Sequence, residues 1–316
     1  MSMRDHQRIM NIPEKIKLIQ KASMMTQEQI ARALGVTFAS LNRWVNNRAV
    51  PRKEAQEKID RLYRQITGQK EIPVQVLEAK KNLLAQKSKN CKSIVDIISG
   101  NPDIRDELIL KLTYHSNRIE GSTLSEDETA AILFDNVTIP NKTLVEHLEA
   151  KNHGTAVEYM FGHAAQKNLI DGEFVMRLHG VLMNSIREDA GMWRNHGVRI
   201  AGANVPTANY VKIPALMNGL VEKISAKEKD IVSWATLVHA EFEKIHPFSD
   251  GNGRVGRLIL HAMLLRRNYA PAVILQENKR QYNLYLNKAQ TGDDQSLLED
   301  FIADAVLAGF AILERK

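Results

Sequence analysis

The sequence predicts a mainly α-helical chain, with a small helical domain first and a larger helical bundle after it, the bundle interrupted by one β-hairpin. Three observations lead there. Apolar residues recur at three- and four-residue spacing through most of the chain, behind recognisable caps. RVGRLILHAMLLRR, residues 254–267, is apolar on nearly every face, the pattern of a helix at the centre of a bundle. GMWRNHGVRIAGANVPTANYVKIP, residues 191–214, breaks the helical pattern with Gly, Asn and Pro and alternates Val198 and Ile200 around Arg199, which reads as a hairpin or extended loop.

The 316 residues suffice for two or three domains. No run is apolar enough to cross a bilayer, the first residues lack the apolar core of a signal peptide, and Cys91 is the only cysteine. No intrachain disulfide or thiolate metal cluster can form, and the expected setting is the cytoplasm. The net charge of +6 is uneven: residues 1–70 hold fourteen Lys and Arg against six Asp and Glu, and the remainder is slightly acidic. A basic excess confined to one end suits contact with a polyanion such as DNA, or is simply a solvated basic face.

That basic segment has its own pattern. Thr26 and Gln29 form a capping box, Ile30, Ala33 and Leu34 give a helical stripe, and Gly35 stops the helix. A second short helix is expected from about Thr37 to Val45, with Leu41 and Trp44 inward and Ser40, Asn42, Arg43 and Asn47 outward. TQEQIARALGVTFASLNRWVNNRAVP resembles the repressor-type helix-turn-helix family over roughly residues 10–66. The resemblance implies DNA contact through Ser40, Asn42, Arg43 and Asn47, with a homodimer as the common arrangement; a small bundle that docks protein is the alternative. The expected domains are 1–66, a helical connector over 67–107, and a bundle over 108–316.

Within the bundle, DELILKLTYHSNRIEG reads as one helix ended by Gly121, and TLSEDETAAILF as a helix behind a Ser125–Glu128 capping box. KTLVEHLEAKNHGTAVEYMFGHAAQ reads as two helical pieces around Gly154. DGEFVMRLHGVLMNSI, PALMNGLVEKI, SWATLVHAEFEKIHPF, RQYNLYLNKAQTG and DQSLLEDFIADAVLAGFAIL complete the helices.

HPFSDGNGRVGR, residues 246–257, joins two of these helices and carries the chemistry. Gly251 and Gly253 permit close backbone approach, and a helix start offers unpaired N–H groups to an anion. Arg254 and Arg257 lie three apart, on one face, which favours polyphosphate over a single carboxylate. Asp250 is a hard oxygen of the kind Mg²⁺ accepts alongside substrate phosphates. His246 has a pKa suited to a general base. No Lys-Ser/Thr follows the glycines, so this is not a Walker loop. A metal-hydrolase reading through His239 and His246 lacks the i, i+4 ligand pair.

The stretch resembles the Fic family motif H-x-F-x-D/E-G-N-G-R-x-x-R at every defined position, and the likeness extends over roughly residues 108–310. The resemblance implies transfer of AMP from ATP to a hydroxyl of a target protein, with ATP as substrate and Mg²⁺ as cofactor. His246 would be the base, Phe248 the anchor of the loop, Asp250 the metal ligand, and Gly251, Asn252 and Gly253 the phosphate cradle. Arg254 and Arg257 would bind the β- and γ-phosphates, and the Val198-Arg199-Ile200 hairpin would be the flap that docks target main chain. Tyr282 and Gln290 resemble positions lining the adenine pocket, although Asn283 and Gln290 depart from the common residues. Ser116, Glu120 and Gly121, in SNRIEG, resemble the family's inhibitory helix motif, expected here over about 108–121, in which Glu120 would take Arg257 from the γ-phosphate. Two alternatives are a DNA-binding regulator whose Fic domain senses nucleotide, and removal of AMP from a modified protein with Glu120 aligning water.

Overall fold

The computed structural model describes residues 11–67, 72–199, 206–226, 228–292 and 294–315. The chain divides into two compact units, ending and beginning at Pro73 and Val74.

The first unit holds α1 (Ile12–Ser23), α2 (Gln27–Leu34), α3 (Phe38–Val45) and α4 (Lys53–Thr67). Its helix starts follow local chemistry. Asn11 and Glu14 form a capping box at α1, Thr26 and Gln29 form the expected one at α2, and the Thr37 side chain accepts from the Ser40 amide at α3. Gly35 ends α2 in the left-handed region, at φ 67. Ile16, Ile19, Ile30, Leu34, Leu41, Trp44, Ile59 and Tyr63 form one core, so Leu41 and Trp44 face inward as expected. Arg43 and Asn47 are exposed. Ser40 and Asn42 are half-buried, and Asn42 is only partly available because its amide donates to Gln27 on α2 at 3.4 Å. Asn47 lies beyond the end of α3, at φ 55.

The second unit begins with α5 (Val74–Asn90) and α6 (Ile94–Gly100), then α7 (Pro102–Glu120), α8 (Glu126–Ala130), α9 (Leu144–Ala165) and α10 (Gly172–Leu182). It continues through α11 (Ile213–Ser225), α12 (Ile231–Ile245), α13 (Asn252–Arg266), α14 (Lys279–Thr291) and α15 (Ser296–Leu313). The stretch expected as a connector is thus helical and largely part of this unit. α5 packs on α15, with Lys80 paired to Asp300 and Lys81 to Glu299 at 2.6 Å. The nearly all-apolar α13 is the central helix, packed by α7, α9, α10 and α12, and buried from Arg254 to Leu265. No helix among the described residues is long and apolar enough to cross a membrane.

Three local expectations differ from the structure. α9 runs unbroken through Gly154, and a Cβ there would collide with the Leu133 side chain, so the glycine serves close packing and not a break. The helix expected over 123–134 widens after α8 into a π-turn at Ala131–Asp135. No strand is present among the described residues, so the hairpin expected around Val198, Arg199 and Ile200 is not seen as a ladder. Residues 191–199 and 206–209 are extended or turn-like, joined by the Thr207 hydroxyl donating to the Val198 carbonyl at 2.8 Å. Ile200, with 201–205, lies outside the described residues.

One acid is buried among these helices. Glu243 on α12 is 6% exposed, and its Oε1 has no hydrogen-bond partner. Burial pushes its carboxyl up to about 8; Arg257 opposes that shift and Glu120 adds to it. The folded protein therefore holds this proton over a range where the unfolded chain has released it, and stability falls as pH rises from about 5 through 8. Glu243→Gln removes the titration. Its stability relative to the parent should rise between pH 5 and pH 8 in urea unfolding; parallel curves would refute the assignment. In the first unit, Leu41→Ala, at a fully buried site, should cost about 3 kcal/mol. Hydrogen exchange on the full chain should show protection falling within residues 11–67.

Candidate active site

His246 is the C-cap of α12 and sits in the left-handed region, at φ 52 and ψ 61, uncommon for a residue with a side chain. Its Nδ1 lies 3.2 Å from the Glu243 carbonyl. A carbonyl can only accept, so Nδ1 carries the proton and Nε2 is left bare. Burial lowers the imidazole pKa, the Glu243 carbonyl resists, and the Arg194 cation adds to the lowering. The ring is thus neutral near pH 7, with side-chain exposure of 16%, the state a general base requires.

The loop after His246 is built on buried contacts. Phe248 is fully buried, stacked on His179 at 3.7 Å between ring centroids and against Trp193 at 4.8 Å. The Asn252 side chain staples the loop, accepting from the Phe248 amide at 2.8 Å and donating to the Phe248 carbonyl at 2.9 Å. Asn252 thus closes the loop with its side chain, and only its backbone N–H is left for the expected phosphate cradle. Gly251 takes φ 75 and caps α13 with no side chain, so the first-turn N–H groups of the helix have no capping partner. His179 accepts from the Gly191 amide through Nδ1 and faces the Asp250 carbonyl with Nε2 at 3.2 Å. Burial lowers its pKa to about 4, which keeps both roles intact at neutral pH. The Asp250 carboxylate is exposed and accepts from the Gly251 amide at 2.6 Å.

Both motif arginines are buried at 3% exposure, and both meet carboxylates. Arg257 donates from Nε to Ser116 Oγ at 2.9 Å, and from Nη2 to the Ser116 carbonyl at 3.1 Å and Glu120 Oε1 at 2.7 Å. Ser116 and Glu120 share one face of α7, which ends at Gly121, φ 115. Burial works most strongly against the Arg257 charge, but Glu120, with Tyr282 and Glu243 adding to it, holds the guanidinium protonated. For Glu120, burial raises the carboxyl pKa most, but Arg257, helped by Arg254 and Lys279, brings it below its ordinary value, so it is ionised. A Cβ at Gly253 would run into Glu120 Oε1 and approach Arg257 Nη1 to 3.1 Å, so this glycine is what lets the carboxylate reach the nest. Arg254 donates to Glu149 Oε1 at 2.7 Å.

Glu149, Glu243 and His179 escaped the sequence reading. Only the chemistry of an arginine needing a partner could have hinted at Glu149, and it lies 105 residues away. Tyr282 is 2% exposed, its hydroxyl 2.7 Å from His239 Nε2. Burial pushes that hydroxyl above the usual phenol range, and the Arg257 charge opposes the shift. Gln290 is also buried, with its amide 3.4 Å from the Ala240 carbonyl. Among the described residues, no group of three or more His, Cys, Asp or Glu is placed to hold a metal ion.

Residues 169–264 match the Fic/DOC family and residues 16–67 match the helix-turn-helix family. The chain is 32% identical over 211 residues to the protein adenylyltransferase Fic of Nematostella vectensis, covering 63% of this chain and 49% of that protein. It is 30% identical over 226 residues to the Aedes aegypti protein of the same name, covering 70% and 45%. The chain thus spans about half the length of the curated relatives it matches. Fic-1 (residues 134–508) from C. elegans superposes with a TM-score of 0.67 at 19% identity, covering 96% of this chain and 87% of that one. A Fic domain containing signaling protein from Bacteroides thetaiotaomicron gives 0.62 at 23% identity, covering 74% and 98%. At those identities the structures speak for the fold alone. The chain carries a Fic/DOC family domain together with a helix-turn-helix domain.

Proposed function

We propose that the second unit is a protein adenylyltransferase, moving AMP from ATP to a hydroxyl side chain of a protein, and that Glu120 restrains it. The observation that carries the reading is a bare, neutral His246 Nε2 beside an uncapped helix start flanked by two buried arginines. The names of the curated relatives point the same way. In the proposed step the target oxygen attacks the α-phosphorus of ATP, and its proton passes to His246 Nε2. The bond from the α-phosphorus to the bridging oxygen breaks, and pyrophosphate leaves with the electron pair. The first-turn amides of α13 would receive the phosphates, and Arg254 and Arg257 would neutralise charge on the departing group.

Asp250 fits Mg²⁺ in one respect, as an exposed carboxylate at the mouth of the phosphate nest, since Mg²⁺ takes few protein ligands beside substrate phosphates. The ion, when bound, would supply positive charge to the phosphates.

Restraint follows from competition. A carboxylate 2.7 Å from Arg257 occupies the donor that a γ-phosphate would need. A second reading concerns the first unit, where the helix-turn-helix match coincides with an exposed Arg43 and Asn47 and the basic excess of the sequence. Through these groups the unit would contact DNA, most simply as a homodimer. DNA binding of this kind would weaken steeply with salt.

Label transfer from α-³²P-ATP with Mg²⁺, with the chain alone and with cell lysate, tests the main reading. Glu120→Gly should raise incorporation by at least about tenfold, and adding His246→Ala should abolish it. Equal labelling by parent and Glu120→Gly would remove the restraint from Glu120. Absence of label from every protein would reject forward transfer and favour the reverse reaction or nucleotide sensing.

A further inference from the structure

The segment expected to dock target and the catalytic histidine are joined by one side chain. Arg194 is 3% exposed, and among the described residues no carboxylate pairs with it. Its whole fork goes to backbone carbonyls. Nε donates to His246 O at 2.7 Å, Nη1 to His196 O at 2.6 Å, and Nη2 to Ala208 O at 2.6 Å and, longer, to Ile245 O at 3.4 Å. Its own amide donates to the Pro247 carbonyl at 3.0 Å. Two of these carbonyls, Ile245 and His246, close α12, where a cation opposes the negative end of the helix dipole. The other two, His196 and Ala208, lie on the two arms that lead toward Val198 and Thr207.

His246 is the strained residue in this arrangement. A left-handed backbone at a non-glycine position persists only where its surroundings over-determine it. Arg194 bonds the carbonyl on the far side of that residue, and the Glu243 carbonyl bonds its ring. Turning His246 back to ordinary helical geometry would break the Arg194 bond and swing Nε2 away from the nest.

We infer that Arg194 is a positioning residue, which holds His246 in its left-handed conformation and fixes the two arms of the 196–208 segment to the base. This rests on the proposed AMP transfer for its kinetic consequence, but its structural content is independent of it. The fork is what matters: a lysine keeps the charge yet cannot reach carbonyls on three separate segments.

The test uses the full chain with Glu120→Gly, carrying Arg194→Met or Arg194→Lys. Side-chain ¹⁵N spectra of the histidines give the His246 tautomer and pKa, calorimetry gives ATP affinity, and label transfer gives kcat and KM. With Arg194→Met, the His246 pKa should rise and the Nδ1-protonated tautomer should lose its dominance. With Arg194→Lys, the pKa should stay low while the tautomer still mixes. In both, kcat should fall about 30-fold or more while ATP affinity changes by less than about twofold. An unchanged His246 spectrum in the folded variants overturns the inference, whatever the kinetics. Loss of ATP affinity in step with kcat also overturns it, because that is general loosening of the domain. If Arg194→Met does not fold, Arg194→Lys decides alone by the same two criteria. If Glu120→Gly itself transfers no label, the activity is wrong and the histidine spectra still judge Arg194.

Discussion

A single guanidinium buried in an apolar helix constrains the rest of the candidate site. Arg257 sits on α13 among Val255, Leu258, Ile259 and Leu260, at 3% exposure. A charge in that position is tolerable only when paired and hydrogen-bonded. Ser116 supplies a hydroxyl and a carbonyl, and Glu120 supplies the counter-charge. The neighbouring groups are correspondingly neutral. His239 is driven down to about 4 and His261 to about 3, first by burial and then by the Arg257 charge, while burial and Glu120 keep the Glu243 proton on. Whatever displaces Glu120 must therefore bring negative charge of its own. A neutral ligand would leave Arg257 uncompensated, which is the physical basis for expecting a phosphate there.

How much of this was legible in the sequence depended on how local the cause was. The boxes at Thr26 and Ser125, the stop at Gly35 and the end of α7 at Gly121 are set by residues within one turn, and the structure has them where the pattern put them. The pairing of Glu120 with Arg257 followed from a family resemblance, since nothing within one turn of Glu120 announces a partner 137 residues away, and the Ser116 bonds to the same arginine were not foreseen. The features that were missed depend on packing between distant segments. Gly154 looks like a helix break until Leu133 is known to lie against it. Glu149 and Glu243 look like ordinary helical acids, each within two residues of a lysine. Only the tertiary structure shows that the first meets Arg254 and that the second is sealed from water.

The two arginine–carboxylate contacts are alike in distance and unlike in support. Both measure 2.7 Å. Glu149 lies within the 22-residue α9, its carbonyl accepts from Asn117 Nδ2 at 3.2 Å, and its side chain is 21% exposed. Releasing Arg254 by backbone movement would disturb a long helix on both sides. Glu120 is the last residue of α7, followed by a glycine at φ 115, and its side chain is 38% exposed. Helix ends fray first, and a terminal turn can open without disturbing the turns before it. Ser116, one turn earlier and buried, would keep its bonds to Arg257 while Glu120 left. The arginine would then remain aimed by its Nε while its Nη2 was freed for phosphate. A restraint placed on the final turn of a helix can be lifted at little structural cost, whereas the same carboxylate in mid-helix would hold its arginine as a fixed part of the site. If the second unit works as proposed, Glu149 would orient Arg254 and Glu120 would withhold Arg257, although the two contacts have the same length.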